Sequence, residues 1–342
     1  MSENSKILSK KELITVSVIF VVVLVMGLIL LGLGFNEAFY SSSSTIRSIF
    51  KAITYLGEPI VFIVMVAVLF IMYDKKFAKN LALSLVFTVY LNEFFKNIFM
   101  DPRPATTNID IEEITPENPT GLVETSYGFP SGHTQSAIGT WGYIAYDFRK
   151  RLYIVIILSI IMFLVAISRM IIGVHDLQDV IGGFSIGLIV LLLFMYLEPY
   201  GTEQFNALKL PVKLILIVVV SLVLFLVGIF LFPTSGTDLL PVPVAFSDTG
   251  SFSLVGGVML GFGIAYVLEG EYVKYEPSKL DLKWKIINLV IGLVILFVVY
   301  FGLEAIRGVF DSVFYRFARY AIVGFILGYV VPFLFVKLNK IE

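Results

Sequence analysis

The sequence predicts an all-α integral membrane protein, with a six-helix core followed by four additional transmembrane helices. Three observations carry this. The 342 residues are 58% hydrophobic and only 15% charged. The apolar residues gather into runs of about 17 or more with almost no charge, and about 20 helical residues at 1.5 Å each cross a hydrocarbon core. Short polar breaks punctuate the runs at the spacing of a multi-pass chain.

Taken in order, the first run, 13–35, follows a polar, lysine-bearing start without a small-residue cleavage site and reads as an anchor. Residues 41–56 place Ile46, Ile49, Phe50 and Ile53 at helical spacing among polar residues, the pattern of a helix lying along the membrane surface. Spans follow at 59–73, 77–100, 133–148, 152–168 and 179–197. The fourth span, 133–148, is rich in small residues and suits close helix packing. After a polar break at 198–213 come runs at 214–232, 252–268, 286–303 and 320–336. The expected organisation is a core, residues 1–200, and a four-span C-terminal region, residues 201–342.

With the N-terminus inside, the inward segments hold 17 of the 25 lysines and arginines, as the positive-inside bias requires. Both termini then face the cytoplasm. The loop 101–130 and the turn 168–179 share the outward face. A formal net charge of −1 argues against a nucleic-acid partner. The absence of cysteine excludes disulfides and thiolate chemistry.

Three stretches collect unusual polar residues at the outward face: Lys96 with Arg103 and Pro104; Pro130-Ser131-Gly132-His133; and Ser168, Arg169, His175 and Asp179. A charge at membrane depth costs about 2.5–3.5 kcal/mol, so three cations, Lys96, Arg103 and Arg169, call for a neutralising anion. A helix starting at Ser131-Gly132 aims backbone N–H groups at the same place, and Gly132 has no Cβ to block approach. His175 and Asp179, four apart, share a helix face, so the carboxylate can orient the imidazole for attack. His133 can exchange a proton near neutral pH. These parts suit phosphoryl transfer through a phosphohistidine.

The three motifs, Lys-x6-Arg-Pro, Pro-Ser-Gly-His and Ser-Arg-x5-His-x3-Asp, resemble the signature of the type 2 phosphatidic acid phosphatase family, which shares its site with vanadium haloperoxidases and bacterial acid phosphatases. The resemblance covers about residues 10–200. It implies a six-helix phosphatase core with His175 as nucleophile, Asp179 as its partner and His133 as general acid. Lys96, Arg103, Ser131, Gly132 and Arg169 would bind phosphate, with no metal and no cofactor. The expected partners are a membrane lipid substrate and the bilayer. The substrate class is a phosphomonoester or diphosphate of an amphiphile. An outward site favours a polyprenyl diphosphate over phosphatidate or phosphatidylglycerophosphate. A phosphotransferase, a sugar-phosphate phosphatase and a transporter or flippase with a phosphatase-like core are the alternatives.

Singly, these residues have plainer readings: Asp179 or Asp176 as helix caps, Lys96 and Arg169 as cations reaching for headgroups. A metal site from His133, His175, Asp176 and Asp179 competes as well, although three neighbouring cations oppose it. Asp176 has no place in the signature and reads as a helix cap or a local tuner of His175. The acidic run Asp110, Glu112, Glu113, Glu117 and Glu124 reads as a solvated face. Glu304, Arg307 and Asp311 read as a paired interfacial cluster, and Gly182, Gly183 and Gly187 as packing positions.

Overall fold

The computed structural model describes residues 8–104, 126–232, 252–306, 309 and 312–339. The acidic run of the first outer loop, Arg307 and Asp311 lie outside the described residues. The helices are α1 (Lys10–Gly32), α2 (Ser44–Thr54), α3 (Pro59–Met72), α4 (Lys75–Phe99), α5 (Gly132–Asp147), α6 (Leu152–Ile171), α7 (Leu177–Ala207), α8 (Leu210–Leu231), α9 (Phe252–Leu268), α10 (Leu282–Ala305), α11 (Val313–Phe325) and α12 (Val331–Asn339). Among the described residues there is no strand.

Every predicted span is helical. Among the described residues, seven helices, counting α11 and α12 with their intervening π-turn as one, are long and apolar enough to cross a membrane. The other predicted spans differ for physical reasons. Helix α3 has 14 residues and α5 has 16, and α4 carries polar side chains along its length, among them the buried Asn80, Ser84, Thr88, Asn92, Lys96 and Asn97. Helix α7 runs ten residues past its predicted end, through Pro199. Helix α11 starts seven residues early because Ser312 caps it, its hydroxyl accepting the Tyr315 N–H at 3.1 Å. Helix α2 is the expected amphipathic segment, capped by Ser43.

The chain forms two compact units. Among the described residues, the first comprises 8–58, 91–104 and 126–203, and the second the remainder. In the first, glycines let α7 approach its neighbours. A Cβ at Gly183 would lie 2.6 Å from the Ser131 carbonyl and one at Gly187 3.0 Å from that of Gln135, so α5 and α7 pack backbone to backbone. A Cβ at Gly182 would enter the Phe129 ring.

In the second unit, α9 and α11 meet in the same way at Gly257 and Gly261. A buried polar clamp ties three segments there. Glu269 accepts from Lys75 Nζ at 2.8 Å and from the Tyr275 N–H at 2.7 Å, while the Tyr275 hydroxyl donates to the Ile71 carbonyl at 2.7 Å. The Glu304 carboxylate pairs with Arg319.

A Cβ at Gly261 would sit 1.8 Å from the Ala321 carbonyl oxygen, with only backbone to yield. The Gly261→Ala variant is expected to lose about 1–3 kcal/mol, the usual cost of overpacking, read as a lower melting temperature of the purified protein in detergent. An unchanged melting temperature would contradict this packing.

Candidate functional site

All eight candidate residues lie in the first unit, at helix ends or in the segments joining them. The turn between α6 and α7 sets the geometry. Helix α6 ends in a Schellman motif: the Gly173 N–H donates to the Met170 carbonyl at 3.0 Å and the Val174 N–H to that of Arg169 at 3.2 Å. Gly173 holds φ at +82°, a conformation costly to any residue with a Cβ. The His175 N–H also donates to the Arg169 carbonyl, at 3.2 Å.

Helix α7 begins immediately afterwards, and its first three N–H groups are all satisfied. Asn36 takes two, its carbonyl accepting from Leu177 at 3.0 Å and its Oδ1 from Gln178 at 3.0 Å. Asp176 Oδ1 takes the third, from Asp179 at 3.1 Å, and Asp179 Oδ2 accepts from the Asp176 N–H at 3.4 Å. This is a reciprocal capping arrangement. Asp176 is therefore the cap of α7, further held by Asn36 Nδ2 at 2.8 Å, and Asp179 sits three residues into the first turn. From there its Oδ2 meets His175 Nδ1 at 2.8 Å.

The other face of the His175 ring meets Arg103, whose Nη1 is 3.3 Å from Nε2. A guanidinium only donates, so Nε2 is the acceptor and the ring proton resides on Nδ1, donated to Asp179. Burial, and then the charges of Arg103, Lys96 and Arg169, hold the imidazole well below the usual histidine range. It is the neutral base at neutral pH.

Carbonyl and hydroxyl oxygens hold the cations. Arg103 donates to the Val174 carbonyl at 2.8 Å, to the Ser126 carbonyl at 2.6 Å and to Ser126 Oγ at 3.0 Å. Lys96 donates to the same Ser126 Oγ at 3.1 Å and to the Tyr127 carbonyl. Arg169 is fully buried and donates to Thr54 Oγ1 at 3.0 Å.

Ser131 stands at the start of α5, its N–H donating to the Asp179 carbonyl at 3.0 Å, which joins the α5 terminus to the α7 terminus. Its hydroxyl accepts from Thr134 Oγ1 at 3.0 Å and makes no cap bond to the α5 backbone. Gly132 follows, and a Cβ there would crowd Asn92 Oδ1 at 2.9 Å. Asn92 also donates to the Pro130 carbonyl at 3.1 Å, across the end of the Pro-Ser-Gly-His segment. His133, in the first turn of α5, has Nε2 3.1 Å from Glu58 Oε1.

The structure thus brings His175, Asp179 and Arg103 into contact, joins Lys96 to Arg103 through Ser126, and sets Arg169 and His133 close enough for their charges to act on His175. The competing metal grouping does not form. Asp176 turns to the α7 amide and Asn36, His133 faces Glu58, and among the described residues no cluster of three or more histidine, aspartate or glutamate side chains is arranged to hold a metal ion.

Two family models match the chain, the PAP2 superfamily over residues 77–203 and the PAP2 superfamily phosphatase, transmembrane extension, over residues 253–342. Residues 77–203 are a PAP2 superfamily domain. The chain is similar to phosphatidylglycerophosphatase B of Bacillus subtilis, 40% identical over 24% of this chain and 45% of that one. It is also similar to lipid A 4'-phosphatase of Porphyromonas gingivalis, 35% identical over 37% of this chain and 56% of that one. With undecaprenyl-diphosphatase of Sulfolobus acidocaldarius it shares 29% identity over 49% of this chain and 81% of that one. The chain thus spans about half the length of the first two of these relatives. The extension match and the apolar helices make it an integral membrane protein.

The PAP2 match encloses every candidate residue, from Lys96 to Asp179. Outside it lie three contributors that the motifs do not reveal: Asn36, Thr54 and Glu58. Their signal in the sequence is slight, since a polar residue in a loop or at a helix end is ordinary. Ser126 and Asn92 lie inside the match and were missed for the same reason.

Asp176→Ala should destabilise the protein by about 0.5–2 kcal/mol, the usual worth of an N-cap, and Asp176→Asn by less. Detergent-solubilised unfolding measures both, and an Ala variant as stable as the parent would remove the capping assignment.

Proposed function

We propose that the protein is a membrane lipid phosphatase that hydrolyses a phosphomonoester or diphosphate of an amphiphile through a phosphohistidine. The observation that carries this reading is the His175 arrangement: a buried neutral imidazole whose proton points to Asp179 and whose lone pair points toward Arg103. Those are the features of an oriented nitrogen nucleophile beside a phosphate ligand. The relatives' names, all of lipid or polyprenyl phosphatases, support the substrate class.

In the first step His175 Nε2 attacks phosphorus, the bond from phosphorus to the leaving oxygen breaks, and His133 gives that oxygen a proton. In the second, water gives a proton to His133 as its oxygen attacks phosphorus, the P–N bond breaks, and phosphate departs. Lys96, Arg103 and Arg169 neutralise charge on the equatorial oxygens, with Ser131 and the Gly132 amide adding hydrogen bonds. Fixed donors of this kind carry much of the acceleration. We take residues 1–200 as the core that performs this chemistry and 201–342 as a membrane region that contributes none of the eight residues. Positive-inside bias puts both termini in the cytoplasm and the site outward, which favours a polyprenyl diphosphate as substrate.

His175→Ala should abolish phosphate release and phosphoenzyme labelling in the purified protein, and substantial residual turnover would rule out this nucleophile. A panel of polyprenyl diphosphate, phosphatidate and phosphatidylglycerophosphate assayed with EDTA present decides the substrate, and collapse of activity in EDTA would refute a metal-free reaction.

Because His175 is held below the usual histidine range, it stays neutral as pH falls through about 6.5. Loss of kcat/KM from its protonation should therefore begin only below that pH, after correction for substrate ionisation. An acid limb at or above pH 6.5 assigned to His175 would contradict its environment.

Glu37 is exposed in the segment whose Asn36 binds Asp176. Since the chain has no cysteine, Glu37→Cys should react alone with an impermeant maleimide on intact cells. Labelling only after lysis would place the site inward.

A further inference from the structure

Residues Thr54 to Glu58 form a short segment that touches the site twice. Thr54 Oγ1 accepts from Arg169, and Glu58 Oε1 lies 3.1 Å from His133 Nε2. The segment is fixed in place. The Glu58 N–H donates to the Tyr55 carbonyl at 3.0 Å, closing a 3-10 turn, and Trp141 Nε1 of α5 donates to the Leu56 carbonyl at 3.1 Å. A Cβ at Gly57 would lie 2.9 Å from Val165 Cγ1 and 3.1 Å from His133 Cδ2, so only a glycine lets the turn lie this close against the imidazole. None of these five residues belongs to the three motifs.

We propose that Glu58 is the positioning residue of the general acid. Its carboxylate holds His133 Nε2–H, stabilises the imidazolium that must deliver a proton, and leaves Nδ1 as the nitrogen that exchanges protons with the reacting oxygen. The site then contains two imidazole–carboxylate pairs, His175 with Asp179 for attack and His133 with Glu58 for departure. The second is more open to solvent, its side chains 17% and 24% exposed against 2% and 1% for the first, as befits a group that must trade protons with water. The other titratable group coupled to this imidazole is the neutral His175, on which a charge at His133 acts together with those of Arg103, Lys96 and Arg169.

This inference rests on the phosphatase reading, and leaving-group dependence separates the two. The purified full-length protein is assayed on a short-chain phosphatidate, whose alkoxide needs a proton to leave, and on p-nitrophenyl phosphate, whose phenolate does not. For Glu58→Gln, kcat/KM on phosphatidate should fall about tenfold to hundredfold, within the usual worth of general acid catalysis, and change less than threefold on the aryl ester. Removing the carboxylate disfavours the protonated imidazole, so the alkaline limb on phosphatidate should move to lower pH by roughly one unit, and Glu58→Asp should restore part of the rate. An equal fall on both substrates with an unmoved limb would make Glu58 a purely structural support and overturn the proposal, as would an unchanged or faster Gln variant. A parent protein releasing phosphate from neither of these substrates nor from a polyprenyl diphosphate would instead bring down the phosphatase reading, and this inference with it.

Discussion

The arrangement depends on holding three cationic side chains together at one end of an otherwise apolar set of helices. Charges of like sign in a medium of low permittivity repel, and each resists leaving water. The protein answers with carbonyl and hydroxyl oxygens at fixed positions: Ser126 between Lys96 and Arg103, the Tyr127 and Val174 carbonyls, and Thr54 against Arg169. These oxygens help hold the cations in place through partial charges. The field of the cations, added to burial, keeps His175 unprotonated. In the proposed reaction, binding of phosphate and readiness of His175 to attack thus have one electrostatic origin.

Local backbone structure supplies the precision. Gly173 ends α6, Asp176 begins α7, and between them lie only Val174 and His175. So short a link leaves the imidazole little freedom. The carboxylate that orients it is also a capping group, which couples the helix start to the imidazole. The hydrogen bond from Ser131 to the Asp179 carbonyl then locks α5 to the same point, and Gly183 lets the two backbones approach closely enough to make it. Substitutions that loosen this packing act on the site at a distance from the chemistry.

The all-α membrane class was legible because apolar runs of membrane-spanning length are a one-dimensional signal. Helix ends were less so. Pro199 does not stop α7, and Ser312 starts α11 early. The candidate site was legible at eight positions because its chemistry is concentrated in three short motifs whose spacing reflects helix geometry. Its supporting residues were not. Asn36, Thr54 and Glu58 come from the first quarter of the chain and are ordinary polar residues until folding places them beside Asp176, Arg169 and His133.

Sequence alone determined the membrane environment and the helical class and singled out the candidate reactive groups, since hydropathy and the four-residue spacing of His175 and Asp179 are properties of neighbouring residues along the chain. Only the tertiary structure decided which nitrogen of His175 bears the proton, that Asp176 caps α7 rather than joining the chemistry, and that Glu58 meets His133. Each of these depends on contacts between residues distant in sequence or on the direction of a single hydrogen bond, and no periodicity or motif encodes either.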